Sequence, residues 1–170
     1  MIHIITSHFN TDRWIDLQLA NLRRFFGEDI KVWAFCSGFD ASPHWDKFHY
    51  MEEKEKFLPH FQEGIEWNEG SFNHWSKLNH LTDVVFVAPK SLNSDIVVWI
   101  DSDAFPINHN SDYLFHSLSK NRFVAVWRAE NGADQQPHPL FASCSLGLAR
   151  ALGDEGIDWS GVPRGKNGTQ

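Results

Sequence analysis

Residues 92–107 read LNSDIVVWIDSDAFPI and join an unbroken apolar run to two closely spaced carboxylates. The run Ile96–Ile100 is bounded by polar residues, a pattern typical of a central strand that is covered on both faces of a parallel sheet. In open α/β sheets, ligands bind beyond the carboxyl ends of the strands. Asp101 and Asp103 directly follow the run, so the sequence predicts a ligand site at these two residues.

The N-terminal segment has the pattern of a β-α-β unit. Met1–Thr6 predicts a buried strand, and Ile30–Cys36 predicts a second strand that ends in a turn. Between them, Asn10 is expected to cap a helix. The apolar residues of that helix recur at helical spacing and are Ile15, Leu19, Leu22 and Phe26. Two strands joined in this way form a parallel pair with a right-handed crossover.

The rest of the chain continues to alternate helices with strands. A helix capped by Ser71 is expected to bury Trp75, Leu78, Leu81 and Val85. The pattern further predicts a helix at Ser111–Ser119, a strand at Phe123–Trp127 and a last strand at Phe141–Leu148. The acidic run 52–55 is interpreted as a solvated face. The 170 residues therefore predict one α/β domain, a three-layer α/β/α sandwich with a mainly parallel central sheet.

Charge and composition exclude several classes of function. The formal net charge of −7 argues against a nucleic-acid partner, because phosphates attract basic surfaces. No run approaches the roughly 20 apolar residues that span a bilayer, and the N-terminus lacks the basic region of a signal peptide. We therefore expect a cytoplasmic protein without a transmembrane segment. Cys36 and Cys144 follow no metal-ligand spacing and are expected to be free thiols.

Two carboxylates at positions i and i+2 favour a particular chemistry. Asp101 and Asp103 can approach one hard cation, and a cation relieves their mutual repulsion. Carboxylate oxygens suit Mg²⁺ or Mn²⁺, which commonly bridge a protein to substrate phosphates. We therefore expect Mn²⁺ or Mg²⁺ as the cofactor. Aspartate and serine are also common in surface turns, so the alternative interpretation is a turn that binds nothing.

Three segments of the chain resemble one known family. Residues 92–107 look like the strand and Asp-x-Asp motif that bind the metal in GT-A glycosyltransferases. Residues 66–81, EWNEGSFNHWSKLNHL, resemble the helix that precedes this motif in family 2 of these enzymes, the nucleotide-diphospho-sugar transferases. Residues 5–25, ITSHFNTDRWIDLQLANLRRF, are similar to that family's opening strand and helix. The resemblance covers about residues 1 to 150.

The resemblance implies roles for particular side chains. It implies that Asp103 binds the metal, that Asp101 shares the metal or contacts the ribose, and that Lys77 offsets the charge of the donor diphosphate. The remaining implied contacts to the donor nucleotide come from Thr6, Ser7, Phe9, Asn10, Asn73 and Asn79. His74 and His80 are six residues apart on one predicted helix, and this spacing predicts that they do not share a face.

The chain also departs from the family's pattern. Where the family has an aspartate that contacts uracil, this chain offers Asp40 in a different context. The catalytic base of inverting members belongs beyond Leu152, where the remaining carboxylates are Asp154, Glu155 and Asp158. The catalytic residue is therefore unassigned, and the chain is either truncated on its acceptor side or a minimal or retaining enzyme. His138 lies between two prolines in a predicted loop and is a candidate third metal ligand or acceptor contact.

These observations predict a metal-dependent glycosyltransferase. It would move a sugar from a UDP- or GDP-sugar donor to a hydroxyl of a carbohydrate or other acceptor. One alternative is a GT-A-like domain that binds a nucleotide without turnover. A second alternative is a haloacid-dehalogenase-like phosphatase with Asp101 as its nucleophile, although Phe105 stands where that family has Thr or Val.

Overall fold

The computed structural model of the protein describes residues 1–53, 69–106, 111–120, 122–128 and 136–155. Its strands are β1 (Ile2–Phe9), β2 (Ile30–Ser37), β3 (Tyr50–Glu53), β4 (Ile96–Ile100), β5 (Phe123–Arg128) and β6 (Gln136–Ser145). Its α-helices are α1 (Ile15–Phe26), α2 (Glu69–Val87), α3 (Ser111–Lys120) and α4 (Leu146–Asp154), and a 3-10 helix spans Ser42–Lys47.

The strands form a six-stranded sheet in the order β3-β2-β1-β4-β6-β5. β1 pairs in parallel with both β2 and β4, and β3 continues the parallel arrangement beyond β2. β6 runs antiparallel to its neighbours β4 and β5. The sheet is therefore mostly parallel, which confirms the prediction.

Two apolar clusters cover the two faces of this sheet. On one face, Ile4 of β1 packs with Leu19 and Leu22 of α1. On the other face, Ile5 packs with Leu78 and with other residues of α2 and α4. Neighbouring residues of a strand point to opposite faces, so β1 contributes to both clusters. Each fully buried aliphatic side chain adds roughly 1.5–3 kcal/mol to the free energy of folding. The three-layer α/β/α arrangement is confirmed.

The first helix begins later than the sequence predicts. Asn10 has a left-handed φ of 59°, and its backbone N–H donates to the Ser37 carbonyl at 2.9 Å. This bond fastens the end of β1 to the end of β2. Asn10 therefore does not cap α1, which starts at Ile15 with Trp14 in the cap position. Ser71 is likewise not a cap, because the helix already includes Glu69.

The last strand is shifted toward the N-terminus relative to the prediction of Phe141–Leu148. Ser145 ends β6 and caps α4, and its hydroxyl accepts the Leu148 N–H at 3.2 Å. At the other end, β6 includes Pro137 and Pro139. Proline has no N–H for a sheet ladder and is confined to strands with an unpaired side. β4 pairs with β6 only from Phe141 onward. Pro137 pairs with Trp127 of β5 on one side, and Pro139 lies in the register shift that separates the pairings of His138 and Ala142 with β5.

Strand β3 was not predicted, and its presence corrects the interpretation of the acidic run. Glu52 lies in β3 and its side chain is only 12% exposed. Its Oε2 accepts the Tyr50 hydroxyl at 3.2 Å and also contacts Nε2 of His80. The solvated interpretation is therefore wrong for Glu52, while Glu53 is exposed as predicted. Residues 54 and 55 lie outside the described part of the chain.

A packing contact at the ends of β1 and β2 yields a prediction. Gly38 has a φ of 78°, and a Cβ added there would overlap the Asn10 side chain. Gly38→Ala is expected to lower the free energy of unfolding by about 1–3 kcal/mol. Asn10→Gly removes the obstructing side chain, so the loss caused by Gly38→Ala should shrink in that background. Denaturant unfolding of the four proteins of this double-mutant cycle measures the difference. Equal losses in both backgrounds would contradict the contact.

A buried histidine yields a second prediction. His8 is 1% exposed and packs against the Phe48 ring. Within the described part of the chain, its Nε2 has no hydrogen-bond partner. Burial, with a smaller contribution from His44, lowers the pKa of His8 to about 4.

Between that value and its ordinary pKa of about 6.5, the unfolded chain binds a proton that the folded chain excludes. Stability should therefore fall as the pH drops from about 6.5 to 4, by about 3 kcal/mol for this group in full. His8→Leu should lose less stability over the same window, as measured by denaturant unfolding at each pH. Parallel pH profiles for the two proteins would show that His8 makes no such contribution.

Candidate functional site

The carboxyl ends of β1, β2, β3 and β4 meet at one edge of the sheet, because these four strands run in parallel. Ser7 and Phe9 end β1, Ser37 ends β2, Glu52 lies near the end of β3, and Asp101 directly follows β4. We call this the carboxyl edge. Residues 74–80 of α2 lie over it, as their contacts with Asp101, Ser37 and Glu52 show. The predicted location of the site is therefore built from several strands.

The Asp-Ser-Asp segment forms a tight turn. The Ala104 N–H donates to the Asp101 carbonyl at 3.1 Å. The side-chain amide of Gln18, from α1, donates to the carbonyls of Asp101 and Ala104 at 2.7 and 2.8 Å. The Thr6 hydroxyl in turn donates to Oε1 of Gln18 at 3.4 Å. The turn Asp101–Ala104 is thus bonded to the buried side chain of Gln18, which is in turn bonded to the buried side chain of Thr6.

Sequence reasoning missed Gln18, although the sequence carries a signal for it. Gln18 lies three residues after Ile15 and four before Leu22, on the apolar face of α1, and it is 0% exposed. A buried amide must find hydrogen-bond partners, because leaving them unmade costs about 1–3 kcal/mol. A glutamine among the core positions of an amphipathic helix therefore indicates a polar feature of the fold beneath it.

The two carboxylates of the turn have different surroundings. Oδ1 of Asp101 lies 3.0 Å from Nε2 of His74, and the two side chains are 20% and 29% exposed. Asp103 is exposed to solvent. Among the described residues, no three His, Cys, Asp or Glu side chains lie close enough together to hold a metal ion by themselves. A cation at this turn would need ligands from elsewhere, such as water or substrate.

Lys77 is a buried cation at the same edge. The residue is 2% exposed, and its Nζ donates to the Ser37 hydroxyl at 2.6 Å. The ammonium lies over the Phe9 and Phe35 rings, 5.3 and 5.2 Å from their centroids. Burial lowers the pKa of Lys77, and the Cys36 side chain opposes this in part. Its hydrogen-bond partner is a neutral hydroxyl, and no carboxylate among the described residues pairs with it.

His74 and His80 contact different strands, which fits their six-residue spacing of about 120° around α2. His74 contacts Asp101 after β4, Lys77 contacts Ser37 of β2, and His80 contacts Glu52 of β3. Residues three apart on a helix are surface neighbours, so positions 74, 77 and 80 form a continuous stripe. The two histidines bind carboxylates of different strands and do not form a pair on the helix.

The other residues predicted to contact the nucleotide are distributed unevenly. Phe9 is 60% exposed and Asn10 is exposed beside it, and Asn79 is half-buried on α2. Thr6 and Ser7 are buried, at 0% and 3% exposure. Thr6 therefore lies beneath the carboxyl edge and bonds to Gln18. Asp40, a further candidate, is exposed and accepts the Ser42 N–H. The side chain of Asn73 lies outside the described part of the chain.

His138 lies in a strand, where the sequence predicted a loop. It pairs with Val126 of β5, within the part of β6 that precedes the pairing of Phe141 with Ile100. Because β6 is antiparallel to β4, this part extends past the carboxyl end of β4 and toward the side of Asp101. The backbone position suits a contact at the carboxyl edge, while the His138 side chain lies outside the description.

Asp154 and Glu155, the described carboxylates of the C-terminal region, lie away from the carboxyl edge. β6 ends where β4 begins, with Ser145 beside Ile96, so α4 starts at the opposite edge. Its far end remains near the end of α2, since a Cβ on Gly153 would lie 3.7 Å from the Phe86 ring. Asp154 and Glu155 follow directly and are exposed. Asp158 lies outside the described residues, so the catalytic base stays unassigned.

Neither cysteine is suited to chemistry. Cys36 and Cys144 are free thiols, as predicted, and both are buried. Burial raises the pKa of each thiol to about 12. The thiolate, which is the reactive form, is therefore not populated near neutral pH.

The described helices include none that is long and apolar enough to cross a membrane. No protein-family model matches the sequence, and no curated protein matches it.

Among solved structures, the fold is similar to that of the mannosyltransferase PcManGT from Pyrobaculum calidifontis, solved in complex with GDP-Man and Mn²⁺. The two chains share 17% sequence identity and superpose with a TM-score of 0.55. The match covers 94% of this chain and 49% of the mannosyltransferase, so this chain spans about half the length of its neighbour. The protein therefore has a glycosyltransferase-like fold.

Proposed function

We propose that the carboxyl edge binds a nucleotide-diphosphate sugar and that the protein transfers the sugar to an acceptor hydroxyl. The observation that carries this proposal is the presence of a buried ammonium, Lys77, and an exposed carboxylate, Asp103, at one edge of a glycosyltransferase-like fold. A diphosphate bound together with a divalent cation satisfies both groups. The assignment to family 2 of these enzymes remains a prediction from the sequence resemblance.

Lys77 supplies the anion-binding part of the proposed site. Its burial disfavours the charged form, and an anion beside it restores that form and gains a charge-assisted hydrogen bond. The Ser37 hydroxyl fixes the position of the ammonium, and the Phe9 and Phe35 rings surround it. A donor diphosphate would occupy the side of Lys77 that faces the strand ends.

Asp101 and Asp103 would hold Mn²⁺ or Mg²⁺. Two carboxylates fit these hard cations, which take further oxygen ligands from water and substrate phosphates. The described residues offer no group of three protein ligands here. When bound, such a cation neutralises the charge of the diphosphate leaving group. Oδ1 of Asp101 already contacts His74, so His74 orients Asp101, and the exposed Asp103 is the more accessible ligand. His138 is retained as a candidate third ligand or acceptor-side contact.

The nucleoside part of the donor would lie against β1 and α2. The exposed Phe9 ring offers an apolar face for stacking. The polar groups proposed to contact the base and ribose are Ser7, Asn10, Asn73 and Asn79, with Asp101 as an acceptor for the ribose. Thr6 would contribute indirectly, through its hydrogen bond to Gln18. The similar mannosyltransferase was solved with GDP-Man and Mn²⁺, which supports a nucleotide-sugar as the donor. The choice between a GDP- and a UDP-sugar, and a carbohydrate or other hydroxyl as the acceptor, stay predictions from the sequence.

Asp103→Ala is expected to abolish the increase in UDP or GDP affinity that Mn²⁺ produces, because the accessible carboxylate ligand is lost. Isothermal titration calorimetry with each nucleotide, with and without Mn²⁺, measures this increase. Asp46→Ala, which removes an exposed aspartate elsewhere, is the matched control and should behave like the wild type. An unchanged Mn²⁺ effect in folded Asp103→Ala would contradict the proposal.

A parallel assay of donor hydrolysis and sugar transfer separates the alternatives. Mn²⁺-dependent turnover supports the transferase. Nucleotide binding without turnover would favour a binding domain, and nucleotide-independent hydrolysis of an aryl phosphate would favour a phosphatase that uses Asp101.

Lys77→Met is expected to weaken nucleoside-diphosphate binding measured without metal by about tenfold or more, which corresponds to about 1.4 kcal/mol for one charge-assisted contact. Methionine fills a similar buried volume, so the fold should be retained. Lys120→Met, which removes an exposed lysine of α3, controls for the change in net charge. Equal affinities of the two variants would exclude Lys77 as the anion-binding group.

A further inference from the structure

Gln18 is a buried polar side chain whose amide nitrogen donates to both ends of the turn at the proposed metal site. It is fully buried in α1, yet its amide nitrogen reaches the carbonyls of Asp101 and Ala104 at 2.7 and 2.8 Å. Its oxygen receives the Thr6 hydroxyl at 3.4 Å. These carbonyls are the two ends of the turn that carries Asp103.

We propose that Gln18 is a positioning residue that sets the shape of this turn and thereby aims the Asp103 carboxylate at the cation. The inference rests on the proposed function, since it assigns a role within the same site. Gln18 itself would touch neither metal nor substrate. The two carbonyls can only accept, so they orient the amide of Gln18 with its nitrogen toward the turn. Thr6 supports this orientation, because its hydroxyl donates to the amide oxygen of Gln18.

The chemistry of the amide group explains why a glutamine is suited to this position. One NH₂ group carries two donors, and they match the two carbonyls that the turn presents. With both ends of the turn held, the backbone between them and the direction of Asp103 are defined. An outer group of this kind commonly changes metal affinity by 10–100-fold when it is removed, although it does not bind the metal.

Glutamate at this position keeps the size of the side chain but loses both donors and faces two carbonyl oxygens. Gln18→Glu should therefore weaken Mn²⁺-dependent binding of UDP or GDP by about tenfold or more. Nucleotide affinity measured without metal should stay within about twofold of the wild type, because Lys77 is untouched. Titration calorimetry with and without Mn²⁺, and electron paramagnetic resonance of Mn²⁺ alone, provide the two readouts.

A matched control is available on the same helix. Asn21 also donates its side-chain amide to a backbone carbonyl, that of Leu17, but it does so in an exposed position. Asn21→Asp makes the same amide-to-acid change and should leave Mn²⁺-dependent binding as in the wild type. Gln18→Met avoids a buried charge and tests the same loss of donors if Gln18→Glu does not fold. Thr6→Val, which removes only the hydroxyl, should give a smaller loss in the same direction.

The outcomes separate this inference from the proposed function. A selective loss of the Mn²⁺ effect in the Gln18 variants supports the positioning role. A folded Gln18→Met protein with the wild-type Mn²⁺ effect would overturn it and leave the proposed function standing. Parallel losses of thermal stability and of binding both with and without metal would also overturn it, in favour of a purely structural role. If wild-type binding does not respond to Mn²⁺, both the proposed function and this inference fail.

Discussion

The parallel pairing of β1 with β2 on one side and β4 on the other is the constraint on which the rest of the structure depends. Parallel strands must be joined by crossovers, which place helices on both faces of the sheet. They also bring the carboxyl ends of distant segments to one edge. Ser7, Ser37 and Asp101 are far apart in sequence, and this pairing alone makes them neighbours.

Helix α2 contacts the carboxyl edge through three polar side chains that are spaced three residues apart. His74, Lys77 and His80 each contact the end of a different strand. The stripe contacts a carboxylate after β4, a hydroxyl at the end of β2 and a carboxylate in β3, and so forms one polar surface over an apolar core. Lys77 differs from the other two, since its partner is a neutral hydroxyl. The arrangement leaves a buried positive charge at the centre of the surface and an exposed Asp103 at one side.

The local patterns of apolar residues, helical spacing and continuous apolar runs, were sufficient to predict most of the helices and strands. The run Ile96–Ile100 predicted a central strand, and the spacing of Leu78, Leu81 and Val85 predicted a buried helix face. All of these residues are buried except Ile96, which is half-buried. Short elements were harder, because β3 has four residues, too few to show a period, and its Glu52 is acidic yet largely buried. The start of α1 was misplaced because Asn10, a favourable cap by residue type, instead adopts a left-handed turn between β1 and β2.

By itself, the sequence determined the α/β class, the order of most elements and the position of Asp101 and Asp103 at a strand end. These features follow from local periodicity and from the rule that strands of open α/β sheets present ligands at their carboxyl ends. Only the tertiary structure decided which side chains surround that pair. The contacts of Gln18 with the turn, of His74 with Asp101 and of Lys77 with Ser37 span 83, 27 and 40 residues. Contacts of that range depend on how helices dock on the sheet, and no local pattern encodes the docking.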